Sequence, residues 1–235
     1  MKHKLFRTSL ILMVVLLFGL IALPAMAATF TQITQPTPAY VAGTTKIDIS
    51  GLASGSSHSS ISDGTLTVSF SSNVTKRGPV PAGWATWSSP PWSENATPHV
   101  LFSNSVDSVN LTLSQPVTIL GFELEPNTFT SENYTVDFVL MSGPTTVGTI
   151  TIQIHGQAGA RLVAASVVGG SFDKVKIVGT PALGFAIAQV RYSITPVPPG
   201  WSKGNKKGWT GKTPPGLDKK GKTPPGFSKG NKNGW

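Results

Sequence analysis

The chain has 235 residues and carries 19 Lys and Arg against 10 Asp and Glu. It contains no cysteine, and this absence excludes a disulfide scaffold and a thiol nucleophile. The charge is unevenly spread: residues 28–195 hold seven basic and nine acidic side chains, whereas residues 196–235 hold nine lysines and a single acidic residue, Asp218. The sequence therefore combines a near-neutral body with a strongly basic tail.

The first 27 residues have the pattern of a secretory signal peptide. Three basic residues precede an apolar run over 10–23, and Ala25-Met26-Ala27 supplies the small residues of a cleavage site. The apolar run is shorter than the roughly 20 residues of a spanning helix. We therefore expect cleavage after Ala27, no membrane span in the mature form, and a secreted protein that is extracellular or associated with the cell surface.

Residues 28–195 alternate between apolar and polar side chains in short segments separated by Gly, Pro, Asn and Ser. The predicted strands are 46–50, 65–70, 108–114, 117–125, 134–141, 147–155, 161–168, 173–178 and 185–194. Such strands, without a helical stretch of moderate length, predict an all-β fold, an antiparallel and jelly-roll-like β-sandwich. On two of the strands the alternation predicts six inward side chains: Val136, Phe138, Leu140, Ile150, Ile152 and Ile154.

Four segments of the body carry a resemblance to a known class of domain: GFELEPN (121–127), VGTITIQIHGQAGARLVAA (147–165), SFDKVKI (171–177) and FAIAQVRYSI (185–194). They resemble exported bacterial β-sandwich domains of unknown function, of the kind often found in proteins with a PEP-CTERM sorting signal. The resemblance implies the fold and export, and it implies no catalytic residues. The chain departs from that class at its C-terminus, where a PPGW/SKGNKKGW-type basic tail stands in place of the sorting signal.

The segment 81–99, PAGWATWSSPPWSENATPH, is unlike the strands around it, and we call it the Trp loop. Its tryptophans are Trp84, Trp87 and Trp92, all within nine residues. Aromatic side chains on a loop at the end of a sandwich can form a flat surface on which sugar rings stack, as in a carbohydrate-binding module. The alternative is that the three rings fold inward and cap one open end of the sandwich.

Glu123 and Glu125 are two residues apart, so on a strand they share one face. Paired carboxylates about 5–5.5 Å apart are the arrangement of retaining glycosidases, which makes a glycoside-active enzyme one interpretation. The alternative, which we favour, is that Phe122 and Leu124 take the core face and leave both glutamates solvated. On that interpretation the protein has no catalytic residues and is not an enzyme.

Other chemistry is weakly indicated. The sequence contains neither HExxH nor GxSxG, and the Ser, His and Asp of SGSSHSSISDG (54–64) lie crowded in what reads as a flexible loop. Four aspartates without the spacing of a recognisable loop could hold a structural calcium ion: Asp48, Asp63, Asp107 and Asp173. We expect no cofactor beyond that ion.

The tail, residues 196–235, repeats Pro-Pro-Gly three times, each followed by a large apolar residue, in a Gly-, Pro- and Lys-rich context. This composition predicts a segment that is disordered when alone, because it buries too little apolar area to offset ordering entropy. Cations interleaved with aromatics suit a polyanion, through these residues: Trp201, Lys203, Lys206, Lys207, Trp209, Lys219, Lys220, Phe227, Lys229, Lys232 and Trp235. The alternative is a tail that only adds solubility.

Three functions follow from these patterns. We favour a secreted, non-enzymatic envelope or extracellular-matrix protein, retained by its tail on an anionic cell-surface or matrix polymer, which includes acidic polysaccharide. The second is a carbohydrate-binding module that uses Trp84, Trp87 and Trp92. The third is a glycoside-active enzyme that uses Glu123 and Glu125.

Overall fold

The structure, a computed structural model, describes residues 28–139, 145–179 and 183–194. The predicted signal peptide (1–27) and basic tail (196–235) lie outside the described residues. In the described ranges one short helix, α1 (Pro38–Ala42), accompanies twelve strands. These are β1 (Thr29–Ile33), β2 (Thr45–Lys46), β3 (Ser57–Ser62), β4 (Thr67–Arg77), β5 (Val100–Phe102), β6 (Ser108–Val117), β7 (Ile119–Pro126), β8 (Ser131–Val139), β9 (Thr146–His155), β10 (Arg161–Val168), β11 (Phe172–Gly179) and β12 (Phe185–Ser193).

The strands confirm the predicted all-β, antiparallel sandwich. They follow the order β1-β10-β7-β12-β5-β4-β6-β11-β8-β9, with β2 added to β12 and β3 added to β4, and the described pairs are antiparallel. The sheet curls until β9 comes back beside β7 and β1, so that its inner face encloses one main core. None of the described helices has the length and apolar content to cross a membrane.

Alternation places the core side chains as predicted on β8 and β9. Val136 and Phe138 are buried, and so are Ile150 and Ile154, whereas Ile152 is half-buried and Leu140 lies outside the described residues. Phe138 packs edge-on against Phe172 of β11, with ring centroids 5.1 Å apart.

Three central strands are buried on both faces, which sets them apart from the rest of the sheet. In β7, β10 and β12 almost every residue is buried. Their inner face belongs to the main core, while their outer face is covered by α1 on one side and by the Trp loop on the other. A polar side chain on that outer face therefore lies inside the protein.

The predicted strand 46–50 is wrong over most of its length. Only Thr45–Lys46 forms the strand β2, and one further bond runs from Ile47 N to Val190 O. The carboxylate of Asp48 accepts bonds from the backbone N–H and the hydroxyl of Ser50, both at 2.9 Å. This local turn competes with the strand ladder, although Ile47 and Ile49 are still buried.

Part of the Ser-rich segment 54–64, which reads as a loop, is instead the strand β3. It pairs with both ends of β4, with a register shift between His58 and Ser60, and it buries Ile61 in the main core. Three of its four serines are exposed, so its high serine content makes the segment look like a loop in the sequence. Strands β1 and β5 were also not predicted, because each is too short to show alternation clearly.

Candidate functional site

Glu123 and Glu125 are buried, contrary to the prediction that they are solvated. Both have 0% exposure. The alternation itself was predicted correctly, since Phe122 and Leu124 lie in the main core and the two glutamates face the other way. What the sequence did not indicate is that the Trp loop folds over that outer face.

Two tryptophans of the loop donate hydrogen bonds directly to these two carboxylates. Trp87 Nε1 lies 2.7 Å from Oε2 of Glu123, and Trp84 Nε1 lies 2.7 Å from Oε2 of Glu125. The other oxygen of Glu123 accepts the backbone N–H of Glu94 at 2.5 Å. Each carboxylate therefore anchors a different part of the Trp loop to β7.

The second oxygen of Glu125 ties the loop to a neighbouring segment. It accepts bonds from the hydroxyl of Thr86 and from the backbone N–H of Gly159, both at 3.2 Å. Thr86 in turn accepts the N–H of Ala158, and Ser88 donates to the carbonyl of Ala160 at 2.6 Å. The loop and residues 156–160 thus form one hydrogen-bonded unit on top of the sheet.

Burial changes the acidity of both anchoring groups. It raises the pKa of the Glu123 carboxyl from an ordinary 4.5 to about 7, and the hydrogen bonds from Trp87 and from the Glu94 backbone offset part of that rise. Burial likewise raises the pKa of Glu125 to about 7, against the lowering effect of its bonds from Trp84 and Gly159. Near neutral pH the two carboxyls are therefore close to the point at which they gain a proton.

A buried ion pair fixes the far end of the Trp loop. Arg191 Nε contacts Oε1 of Glu94 at 2.5 Å, and Nη2 contacts Oε2 at 3.0 Å. The same guanidinium donates from Nη1 to the carbonyls of Val41 and Thr44, each at 3.2 Å. Because all three of its nitrogens are engaged with two different segments, Arg191 joins the loop to the region around α1.

A bulge in β12 places Arg191 on this face. The pairing with β7 shifts between Ala188 and Arg191, and Gln189 in between has φ 51°. One extra residue therefore moves Arg191, rather than Val190, to the side that carries Glu123. Simple alternation along FAIAQVRYSI predicts the opposite side, so this contact was not predictable from the strand pattern.

The three tryptophans of the predicted sugar-stacking surface have three different environments. Trp87 is 4% exposed and packs with Val100 and alanines of β12, so this ring caps the sheet. Trp84 is half-buried and tilts against Phe102, with ring centroids 5.6 Å apart. Trp92 is 45% exposed and lies against Arg161, whose guanidinium carbon is 4.7 Å from the ring centroid. The rings do not form one flat surface of three.

An open groove of about 590 Å³ runs beside Trp84. Its lining is more apolar than polar, and Phe129, at 68% exposure, stands at its rim together with the exposed Leu183. Asn127 closes one wall by donating to the carbonyl of Leu183 at 2.9 Å. The residues that define its shape are Pro81, Trp84, Thr86, Asn127, Phe129 and Leu183. This groove was not predicted, because its walls come from four separate stretches of the chain.

Within the described residues, neither the four aspartates nor the Ser-rich segment forms the arrangement considered for it. In residues 28–139, 145–179 and 183–194 no group of three or more His, Asp or Glu side chains is placed to hold a metal ion. Ser56 Oγ lies 2.6 Å from Nε2 of His58, but the Asp63 carboxylate accepts its bonds from Tyr192 and from backbone N–H groups. The polyanion-binding residues predicted in the tail lie outside the described residues.

No protein-family model matches the sequence, and no curated protein matches it. Among solved structures, the chain is similar to the enzymatically active domain of tailspike protein 4 of bacteriophage CBA120 (20% identity, TM-score 0.30), with 56% of this chain and 20% of that chain covered. It is also similar to CBM29_1, a family 29 carbohydrate-binding module from Piromyces equi (13% identity, TM-score 0.29), with 73% and 93% covered. A third is the family 11 carbohydrate-binding module from Clostridium thermocellum in complex with a mixed-linked tetrasaccharide (7% identity, TM-score 0.29), with 66% and 97% covered. The chain thus spans one fifth of the tailspike chain.

Proposed function

We propose that the protein is a secreted, non-enzymatic carbohydrate-binding protein that its basic tail retains on anionic polymers of the cell surface or matrix. The observation that carries the carbohydrate-binding proposal is the exposed ring of Trp92 on a loop that buried hydrogen bonds and an ion pair hold in place. Aromatic rings bind sugars by stacking, and a ring fixed in advance loses little entropy on binding.

The groove beside Trp84 is a second candidate surface for carbohydrate. Trp84 is oriented by its hydrogen bond to Glu125, and Phe129 offers a second ring at the rim. None of the described residues that line the groove carries a charge. A groove with aromatic walls, backbone carbonyls and an amide side chain suits a neutral stretch of polysaccharide, whose rings have apolar faces and hydroxyl edges.

A non-enzymatic role accounts for the state of the two glutamates. A catalytic carboxylate has to reach the substrate, whereas Glu123 and Glu125 are fully buried and accept five hydrogen bonds from the Trp loop and Gly159. We therefore assign them to anchoring the loop. In this assignment the raised pKa values of Glu123 and Glu125 result from their burial and do not indicate a catalytic role.

The proposed retention by the tail rests on the sequence. Nine lysines against one acidic residue give long-range attraction to a polyanion, and the two copies of PPG(W/F)SKGNK(K/N)GW give two weak contacts on one segment. Export is proposed from the signal-peptide pattern of residues 1–27 and from the resemblance to domains of PEP-CTERM-sorted proteins.

A glycan screen of the mature chain tests the binding proposal, followed by variants of exposed side chains. We expect Trp92→Ala and Phe129→Ala each to weaken binding of the glycan found by about 1–3 kcal/mol. The matched control is Ile194→Ala, because Ile194 is 42% exposed and follows the opposite end of β12. Absence of binding to any carbohydrate, or binding that none of the variants changes, would contradict the proposal.

Deletion of residues 196–235 tests retention separately. We expect the truncated protein to appear in the medium with its glycan binding intact. The full-length chain should be released from cells as the salt concentration rises, because salt screens the attraction between the lysines and the polyanion. Substitution of Trp201, Trp209, Phe227 and Trp235 by Ala should weaken retention more at high salt than at low salt. Equal retention of the truncated and full chains would show that the tail only adds solubility.

A further inference from the structure

The pair formed by Trp92 and Arg161 has a feature that the groove lacks, namely a positively charged side chain. The one ion pair within the described residues is Arg191 with Glu94, so Arg161 forms no ion pair with a carboxylate in those ranges. Arg161 lies at the start of β10, beside the hydrogen-bonded unit of the Trp loop and residues 156–160. Its charge is therefore held at one position of the proposed binding surface.

The contacts of Arg161 fix the guanidinium and leave part of it open. Nη1 donates to the carbonyls of Gly159 and Ala160, each at 2.9 Å, while the guanidinium stacks on Trp92. No described contact involves Nε or Nη2, and the side chain is partly exposed. Stacking uses the face of a guanidinium and leaves its in-plane N–H groups available to an oxyanion.

We propose that Trp92 and Arg161 form a subsite for a carboxylate-bearing sugar, a uronic acid within a polysaccharide. One sugar ring stacks on the exposed part of Trp92, and the carboxylate of that sugar or of its neighbour in the polymer lies at the free edge of the Arg161 guanidinium. This inference rests on the proposed carbohydrate binding and narrows it, because it separates an acid-selective subsite from the uncharged groove. It also makes the body, and not only the tail, recognise an anionic polymer.

The alternative role for Arg161 is mechanical, as a support that holds Trp92 in place through the cation–π contact. A support of that kind affects acidic and neutral ligands equally. Recognition of a carboxylate affects only the acidic ligand. The distinction therefore requires two ligands that differ in charge and share one backbone.

The experiment compares oligogalacturonate with its methyl-esterified form, and oligomannuronate with its ester, on the mature full-length chain by calorimetry. We expect the acid to bind more tightly than the ester, with about 5- to 10-fold of that preference coming from one charge-assisted hydrogen-bonded contact to Arg161. Arg161→Gln should therefore lower the affinity for the acid about 5- to 10-fold while the affinity for the ester stays unchanged. Trp92→Ala should weaken the binding of both forms.

Lys174→Gln is the matched control, because it removes the same charge from an exposed position on β11. All variants keep the basic tail, so attraction of the acid by the tail cancels when a variant is compared with the wild type on the same ligand. Thermal unfolding of each variant verifies the fold. An acid-to-ester ratio that Arg161→Gln leaves unchanged, or an equal loss for both ligands, would overturn the inference. If only neutral glycans bind, the inference fails while the proposed function stands; if no carbohydrate binds, the proposed function fails as well.

Discussion

The hydrogen bond between Trp87 and Glu123 offers the most direct test of how the Trp loop is anchored. Trp87→Phe keeps an aromatic ring in the apolar cluster and removes the indole N–H that lies 2.7 Å from Oε2 of Glu123. The described bonds to that carboxylate then reduce to the backbone N–H of Glu94. Because Glu123 is fully buried, solvent does not compensate for the lost donor.

The magnitude follows from two contributions. A hydrogen bond to a charged group is worth about 1.5–3 kcal/mol, and exchange of an indole for a smaller phenyl ring in a packed cluster adds about 1 kcal/mol. We therefore expect the free energy of unfolding to fall by about 2.5–4 kcal/mol. For a domain of this size each kcal/mol lowers Tm by about 2–4 °C, so the expected fall in Tm is about 5–16 °C.

The assay is thermal unfolding followed by circular dichroism, within a double-mutant cycle. Glu123→Met removes the acceptor at similar volume, so in that background Trp87→Phe removes no hydrogen bond and should cost about 1 kcal/mol or less. Trp92→Phe makes the same exchange on the exposed ring and should change stability by less than about 0.5 kcal/mol. An equal cost of Trp87→Phe in the wild-type and Glu123→Met backgrounds would refute the anchoring role.

Two further predictions concern stability. Because burial raises the pKa of Glu123 and of Glu125 from 4.5 to about 7, the folded state binds protons more tightly than the unfolded state. As the pH rises from about 4.5 to 7, we expect the free energy of unfolding, measured by denaturant titration, to fall by up to about 3 kcal/mol for each carboxyl. Glu125→Gln should make this fall smaller. A free energy of unfolding that rises with pH over the same range would contradict the expectation. At Gly121 an added Cβ would lie 2.3 Å from the Tyr40 hydroxyl and 2.4 Å from Cβ of Ala164. Gly121→Ala should therefore lower the free energy of unfolding by about 1–3 kcal/mol, as measured by thermal unfolding. The control is Gly51→Ala, which should be close to neutral because an added Cβ there has no neighbour within 4 Å.

The strands that could be predicted are mostly those of eight or more residues, although β4, with 11 residues, was predicted only as far as Phe70. Strands β8 to β12 were predicted to within a few residues of their ends, because each carries a long run of inward apolar side chains. The segment 46–50 shows the limit of this signal. Ile47 and Ile49 are both buried as alternation indicates, yet the side chain of Asp48 forms a local turn that ends the ladder.

The candidate site could be predicted only in its parts. Trp84, Trp87, Trp92 and the glutamate pair were each singled out, but as two unrelated sites about forty positions apart in the sequence. The contact between them depends on the path of the Trp loop across β7, which local patterning does not encode. The bulge at Gln189, which brings Arg191 to the same face, is equally invisible to alternation.

A physical argument nevertheless connects the two halves of the site. A tryptophan that folds inward needs an acceptor for its indole N–H, and a carboxylate on a covered sheet face needs donors. In a near-neutral body with few charged side chains, each group supplies what the other lacks. Trp84 and Trp87 meet this requirement with Glu125 and Glu123, whereas Trp92 instead lies over a cation and keeps its ring exposed. The partner of each indole thus separates the rings that hold the loop from the ring that is free to bind.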